Sequence, residues 1–445
     1  MKKKVYAITL GCSKNEVDSE LLLGTLDQEK YLIAENLEES QIIIVNTCGF
    51  IEAAKEESID TIWEMTQYKE ENCEFLILAG CLAQRYSKEL IEEIPQVDAI
   101  IGTGNIKDLN FIIEELEHKR QEKIIRVDNV DSGYLEDIDR INFSATAYVR
   151  ISEGCDNLCT YCIIPKLRGK HRSRKSEDIL REVNSLVSNG VREIILIAQN
   201  TSDYGIDIYG EYSLHKLLDE LNKISDLKWI RLLYLYPDNF NEDLINSIKN
   251  NEKVVKYVDI PLQHISDNVL HMMGRRTSKE DIVNLINKLR REIPNIVIRT
   301  TFIVGFPGET EKEFRELYDF IQMTQFDRLG VFTYSKEEDT PAYNLPNHLE
   351  EEVKQNRSDR IMEIQKLISE NKMMDKVGKT FDVLIEEYAG ENTYVGRTYM
   401  DSPEIDGVVY VTSDKKLDLD SFVRVIIKEY LEYDLIGEVE NEFGQ

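Results

Sequence analysis

Twice along this chain, short aliphatic and β-branched runs alternate with amphipathic stretches of helical period, and nothing else in the sequence restricts the fold as tightly. Between residue 4 and about 127 the runs are "KVYAITL", "QIIIVNT", "EFLILAG", "DAIIGT" and "KIIRVD", separated by segments such as "AAKEESIDTIWEMTQY". Such alternation predicts an open parallel sheet covered by helices, because parallel strands need long crossover connections. A polar stretch from about Asn129 to Asn142 reads as a linker. A second alternation follows, with "ATAYVRIS", "EIILIAQ", "WIRLLYLYP", "VVKYVDIPL", "NIVIRTTFIVG" and "FDRLGVFTYS" as strands, and its six βα units predict an incomplete α/β barrel. The segment "LEEEVKQNRSDRIMEIQKLISENKMMDKVG" reads as a charged amphipathic helix between domains. Five short runs after it, "TFDVLIEEY", "TYVGRTY", "GVVYVTS", "FVRVIIKEY" and "DLIGEVEN", predict a small antiparallel β-barrel. The expected organisation is α/β and multidomain: an α/β sheet domain at 1–127, a linker at 128–143, a partial (β/α)6 barrel at 144–348, a connecting helix at 349–378 and a β-barrel at 379–445.

Length agrees with this division, since 445 residues exceed one ordinary core and ~150 residues per domain suggests about three. No uncharged apolar run approaches the ~18 to 20 residues needed to span a bilayer. The start, "MKKKVYAITLGCSKNEVDSE", lacks the apolar region and cleavage site of a signal peptide. A cytoplasmic protein without membrane attachment is expected, with monomer as the default. The formal charge of −29 opposes loose binding to nucleic acid and suits a basic partner such as a protein. Seven cysteines, an odd number in a reducing compartment, read as metal ligands or reactive thiols rather than disulfides.

Their placement matters more than their number. In "SEGCDNLCTYCIIPKLRGKHRSR" the cysteines Cys155, Cys159 and Cys162 have C-x3-C-x2-C spacing, with no fourth cysteine nearby and His171 nine residues on. Four close cysteines would suggest a closed zinc site. Three soft thiolates suit an iron-sulfur cluster, and on a four-iron cluster they leave one iron open for chemistry. The alternative is a zinc knuckle completed by His171. The loop follows the first barrel strand, at the face where such folds place active sites. Cys12, Cys48 and Cys81 lie far apart but each directly follows a predicted strand, in "AITLGC", "IIIVNTC" and "LILAGC". In an open parallel sheet these strand ends share one edge, where ligands bind, so three loops can gather three thiols around a second cluster. Gly11 and Gly80 would ease close backbone approach to it. The alternative is three buried small apolar residues. Cys73 precedes its strand and belongs at the opposite edge as an ordinary thiol.

The C-x3-C-x2-C spacing, with aromatic Tyr161 beside the last cysteine, resembles the radical S-adenosylmethionine (SAM) superfamily. There the open iron binds SAM, and one electron cleaves it to a 5′-deoxyadenosyl radical that abstracts hydrogen from an unactivated carbon; the protein supplies orientation. Together with the second cysteine set and the terminal barrel, called a TRAM domain in that family, the whole chain resembles the methylthiotransferases. That resemblance implies two 4Fe-4S clusters, held by Cys155, Cys159 and Cys162 and by Cys12, Cys48 and Cys81. It implies SAM as both methyl donor and radical source, an external sulfide or persulfide source, and an electron donor such as flavodoxin or ferredoxin.

The family divides into tRNA-adenosine modifiers and enzymes that place a methylthio group on the β-carbon of an aspartate in ribosomal small-subunit protein twelve. "GCSKNEVDSE" resembles the second branch's G-C-P-K-N-x-V-D-S-E, where tRNA enzymes usually read G-C-Q-M-N, and "NTCGFIEAAKEESIDTI", "RLLYLYPD", "DIPLQHISDNVLHMMGR" and "RTTFIVGFPGETEKEF" also resemble it. Ser13, Asn200 and Asp339 depart from the pattern. From Thr380 onward the chain holds 16 Asp and Glu against 5 Lys and Arg, a net −11. A barrel that grips tRNA should be basic, whereas an acidic one steers toward a Lys- and Arg-rich ribosomal protein, free or in the assembled small subunit. A merely solvated acidic surface is the bland reading. tRNA is therefore the alternative substrate, and a noncatalytic iron-sulfur scaffold or electron carrier a further one.

For SAM, Gln199 and Thr201 at one strand end and Gln263 at another offer uncharged hydrogen-bonding groups, and Arg299 a guanidinium matched to the SAM carboxylate; the alternative is barrel-interior polar residues satisfying one another. "VGFPGE" is a glycine-rich loop expected near adenine and lacks the Lys-Ser/Thr of a P-loop. The basic run "KLRGKHRSR" reads as substrate-positioning, cluster-protecting or solvated, and His264 and His271 as structural.

Overall fold

The computed structural model describes residues 2–119, 122–128, 130, 131, 140 and 144–440, so most of the expected linker at 128–143 lies outside the described residues. The first sheet has six parallel strands: β1 (Lys3–Thr9), β2 (Tyr31–Ile33), β3 (Ile42–Thr47), β4 (Phe75–Ala79), β5 (Ala99–Ile101) and β6 (Ile124–Arg126), in the order β2-β1-β3-β4-β5-β6. Every residue of β3 and β4 is buried, as expected of central parallel strands covered on both faces. Successive residues face opposite layers: Ile42 and Ile44 join one core cluster, Ile43 and Val45 another. The edge strand β2 is the one that sequence reading missed. It has three residues, two of them exposed, too few to carry a period.

β7 (Thr146–Arg150) begins the second sheet, and the two-residue strands β8 (Ser152–Glu153) and β9 (Arg172–Ser173) pair antiparallel beside it. β10 (Glu193–Ile197), β11 (Trp229–Leu232), β12 (Val254–Asp259), β13 (Val297–Val304) and β14 (Arg328–Thr333) complete six parallel strands in sequential order, β7-β10-β11-β12-β13-β14. This is the expected incomplete barrel. Its outer residues, such as Val149, Leu196, Ile230 and Phe302, pack under helices, while Tyr148, Ile195, Leu233 and Tyr257 on the inner face join a core shared with the other two parts of the chain. The 24-residue helix Glu351–Met374 does more than connect: Ile361, Ile364 and Ile368 pack into the barrel's outer core.

The terminal barrel closes in the order β15-β16-β17-β19-β18, from β15 (Thr380–Gly390), β16 (Thr393–Arg397), β17 (Val409–Thr412), β18 (Phe422–Tyr430) and β19 (Leu435–Val439). Four of its pairs are antiparallel, and β17 runs parallel to β19. A closed ring of five strands cannot alternate direction all round, so one parallel pair is required.

This barrel seats on the inner face of the partial barrel through buried charge. Glu193 of β10 accepts from Nε of Arg231 at 2.8 Å and from Nη2 of Arg397 at 2.8 Å, with all three side chains at most 2% exposed. Arg231 also donates to the Tyr399 carbonyl at 2.9 Å, and Asp401 pairs with Arg328. Trp229 meets Phe422 edge to face, with centroids 4.6 Å apart. At the other junction, helix Ser13–Gly24 lies against β7, and Glu16 on it faces like charge from Glu20 and Glu404.

Two outcomes follow from these junctions. Glu193→Gln leaves the buried Arg231 without a carboxylate and Arg397 with Glu386 alone, and should lower stability by about 3 to 5 kcal/mol, read as a fall in the denaturation midpoint reported by tryptophan fluorescence. Burial alone would raise Glu193, but Arg397 and Arg231 hold it below the ordinary range; its contribution is complete above the ordinary Glu value of about 4.3 and is lost as pH falls through the lowered native value. Glu16 is the opposite case, raised from 4.5 to about 7 by burial and then by Glu20 and Glu404. Its protonated form is the one the fold favours, so stability declines as pH rises from 4.5 through 7. Glu16→Gln should match the parent protein near pH 4.5 and exceed it in melting temperature at pH 8; equal melting temperatures at pH 8 would contradict this.

Candidate active site

The C-terminal ends of β1, β3 and β4 are neighbours, and the three predicted cysteines follow them. Cys12 is exposed and caps the start of helix Ser13–Gly24. Cys48 is buried, its N–H donating to the Ser58 hydroxyl at 3.0 Å while that hydroxyl donates to the Cys48 carbonyl. Cys81 is buried in the first turn of helix Gly80–Arg85. The structure brings the three to one edge: a Cβ on Gly11 (φ +92°) would lie 2.6 Å from Cβ and 2.9 Å from Sγ of Cys48, and the Cys12 and Cys81 thiols both bear on Cys48 electrostatically. Gly80 (φ +91°) makes room for the Thr47 backbone; both glycines thus serve contact between the cysteine loops themselves. Cys73 lies before β4, in the core, its thiol donating to the Phe75 carbonyl at 3.3 Å.

The other three cysteines sit in the loop that β8 and β9 close at its base. Cys155 N–H donates to Gly169 O at 3.1 Å and Cys162 N–H to Cys159 O at 3.1 Å, while Thr160 ties the loop to the Met273 carbonyl at 2.9 Å. All three thiols are half-buried. Tyr161 packs edge-on to Phe306, centroids 6.5 Å apart, and Cys159 Sγ lies 3.9 Å from the Tyr236 hydroxyl. Burial pushes Cys155 up to about 11 and both Cys48 and Cys162 up to about 12. Thiols in such surroundings become thiolates only when a cation takes the charge, as a bound metal does.

Among the described residues, no three His, Cys, Asp or Glu side chains converge closely enough to hold a single metal ion. The imidazole of His171 faces Ser173 at 3.1 Å and Asp207 at 3.5 Å. Two sets of three soft donors, one gathered from three strand ends and one from a single loop, have the ligand chemistry of iron-sulfur sites.

Between the two sets lies a network that sequence reading missed. Arg168, 2% exposed, donates through Nη2 to Asn15 Oδ1 and Asp18 Oδ2, both at 2.8 Å, and through Nη1 to Glu153 at 3.2 Å. Arg150 bridges the same two acids, at 2.5 Å to Asp18 and 2.7 Å to Glu153. Asn15 in turn donates to the carbonyls of Leu10 and Thr47, which flank the first two cysteine loops. Cys81 packs against Ile163 and Leu167, directly after Cys162. Burial would raise Glu153, but Arg150 and Arg168 hold it down to about 2. The available signal was charge at positions of helix Ser13–Gly24 whose neighbours Val17 and Leu21 are core residues.

The basic run is partly folded in: Arg168 as above, Arg174 buried on Glu182 at 2.6 Å and Arg172 half-buried on Asp131 at 3.1 Å, while Lys166 and Lys170 are exposed. Of the four SAM candidates, Gln199 donates to Glu153 and leaves its buried Oε1 without a partner. Thr201 is committed to the Leu233 carbonyl at 2.6 Å. Gln263, half-buried at φ +70°, bonds the β13 backbone through its own N–H and carbonyl. Arg299 is not free for a carboxylate from outside, because Asp259 at 2.9 Å and Asp406 at 3.5 Å occupy it. The "VGFPGE" turn closes on itself, Glu309 accepting from Gly305 N–H at 2.8 Å and pairing with Arg357 at 2.6 Å. His264 is structural, its Nδ1 accepting from Ser266 N–H at 3.0 Å.

Three family models match the chain: the radical SAM superfamily over residues 149–321, Uncharacterized protein family UPF0004 over 4–102, and the TRAM domain over 377–439. Among solved structures, the radical S-adenosylmethionine methyltransferase TsrM from Kitasatospora setae shares 15% identity at a TM-score of 0.57, covering 77% of each chain. The cobalamin-dependent radical enzyme OxsB shares 12% at 0.52, covering 81% of this chain and 56% of its own. At such identities they speak for the fold alone. Curated relatives are far nearer. The ribosomal protein uS12 methylthiotransferase RimO of Clostridioides difficile (strain 630) is 51% identical over 439 residues, 98% of either chain. Its counterpart in Thermoanaerobacter sp. (strain X514) is 51% identical over 438 residues, 98% of this chain and 100% of its own. With half its residues identical to these proteins along almost the entire length, the chain belongs to the RimO family of radical-SAM methylthiotransferases.

Proposed function

We infer that this protein is a methylthiotransferase of ribosomal protein uS12, placing a methylthio group on the β-carbon of an aspartate. The observation that carries the reading is the pairing of two three-thiol sets at facing strand ends, joined through the buried Arg168 network. Cys155, Cys159 and Cys162 are the residues to hold a four-iron cluster with an open iron for SAM, and Cys12, Cys48 and Cys81 those to hold a second. Bound there, these groups supply one-electron chemistry able to open an unactivated C–H bond and a site from which sulfur is delivered. The chain's own part is positional. Gln199 offers an unpartnered buried acceptor beside the first set, and Asn15 and Arg168 fix the spacing between the sets. Thr201 is hydrogen-bonded and Arg299 ion-paired within the protein.

Charge supports the protein substrate over tRNA. Asp382, Glu387, Glu391, Asp414, Asp418 and Glu429 are exposed on the terminal barrel, a surface that steers basic polypeptide and repels phosphate. The relatives' names point the same way. An external sulfide or persulfide source and a small electron-transfer protein such as flavodoxin or ferredoxin complete the reading. Among the described residues no helix is long and apolar enough to cross a membrane.

Mass spectrometry of uS12 and of tRNA nucleosides from a deletion strain tests the substrate: the methylthio group should vanish from the ribosomal aspartate, and loss from nucleosides alone would overturn the assignment. Replacing Cys12, Cys48 and Cys81 with alanine should lower iron from about eight atoms per chain to about four while reductive SAM cleavage continues without product. Gly11→Ala, which drives a methyl group into Cys48, should lower iron in the same way. Cys73→Ala should change neither iron nor product.

A further inference from the structure

Lys14 carries a charge that the protein itself leaves unanswered. It is 7% exposed and two residues past Cys12, yet among the described residues no carboxylate pairs with it. Its ammonium lies 2.9 Å from the ring centroid of Tyr234, across the boundary between the first domain and the mouth of the partial barrel. The acids on the elements that carry these two residues are already engaged. Asp18 is held by Arg150 and Arg168. Asp259 is held by Arg299 at 2.9 Å and by the Tyr234 N–H at 3.0 Å, Glu20 pairs with Arg140, and no ion pair joins Glu16 to Lys14 among the described residues. A ring face is worth about 0.5 to 2 kcal/mol to a cation, less than the hydration that burial removes.

Tyr234 is itself held under strain. Its φ of +59° is an outlier for a ring-bearing residue, enforced by Asp259 on its N–H and by its carbonyl accepting from Thr201 N–H at 3.0 Å. Strain of this kind collects where a fold presents a ligand. Two residues on, Tyr236 approaches Cys159. The seat of Lys14 thus joins the helix that follows Cys12 to the strand end whose Tyr236 meets Cys159.

We propose that Lys14, seated on Tyr234, receives the side-chain carboxylate of the substrate aspartate and so holds its β-carbon between the two thiol sets. This rests on the reading of the substrate as an aspartate-bearing protein. A buried ammonium is the complement of one carboxylate, and it discriminates against the neutral amide of equal shape.

The test is calorimetric titration of the iron-loaded protein with a peptide spanning the modified uS12 aspartate and with its Asp→Asn counterpart. Lys14→Met should load the same iron, bind the aspartate peptide about tenfold or more weakly and bind the asparagine peptide as the parent does, with Lys14→Arg restoring the preference. Equal weakening toward both peptides, or unchanged affinity for the aspartate peptide, overturns the proposal. So does iron loss in Lys14→Met that Lys14→Arg repairs, since it would assign Lys14 to the cysteine loops. If the parent protein binds neither peptide, the substrate reading fails first and the assignment of Lys14 with it.

Discussion

One guanidinium sets the relation between the two halves of the site. Arg168 is buried in a region where an unpaired charge would cost several kcal/mol, and the fold meets that cost with Asp18, Glu153 and the amide of Asn15. Those partners come from different domains: Asp18 and Asn15 from the helix that starts after Cys12, Glu153 from the ribbon beside Cys155. Shifting one domain against the other would break several buried charge-assisted bonds at once. The distance between the thiol sets is therefore as rigid as the network, which suits the proposed reaction, since small errors in reacting geometry are expensive.

The terminal barrel obeys the same rule with the signs reversed. Its acidic excess has two destinations. Asp401 and Asp406 point inward and meet Arg328 and Arg299 of the partial barrel, so part of the charge serves assembly. The remainder stands on the open surface and is available to a basic partner. The same inward pairing explains why the floor of the partial barrel is polar: Arg299 and Arg328 meet acids of the third domain, while Arg231 pairs with Glu193 of its own barrel and donates to the Tyr399 carbonyl.

Much of the fold was legible because periodicity is a local property. Strands β3 and β4 announce themselves as unbroken aliphatic runs, and the cysteines after β1, β3 and β4 could be placed at one edge because parallel strands all end on the same side. What escaped had too few residues or too distant a partner. β2 and the β8–β9 ribbon are two or three residues long. The parallel β17–β19 pair follows from closure of an odd ring, which no single segment encodes.

The candidate site divides in the same way. The sequence by itself determined which thiols exist, their grouping in threes and their position at strand ends, because thiol chemistry and strand direction are properties of neighbouring residues. Only the tertiary structure decided the partners of each buried charge. Arg299 reads as a carboxylate receptor until Asp259 and Asp406 are found on it, and Arg168 reads as one cation in a solvated run until Asp18 approaches from 150 residues away. The physical reason is desolvation: a charge on an extended chain is indifferent to its partner, whereas a buried one must find an opposite charge, and which one it finds depends on how whole domains pack.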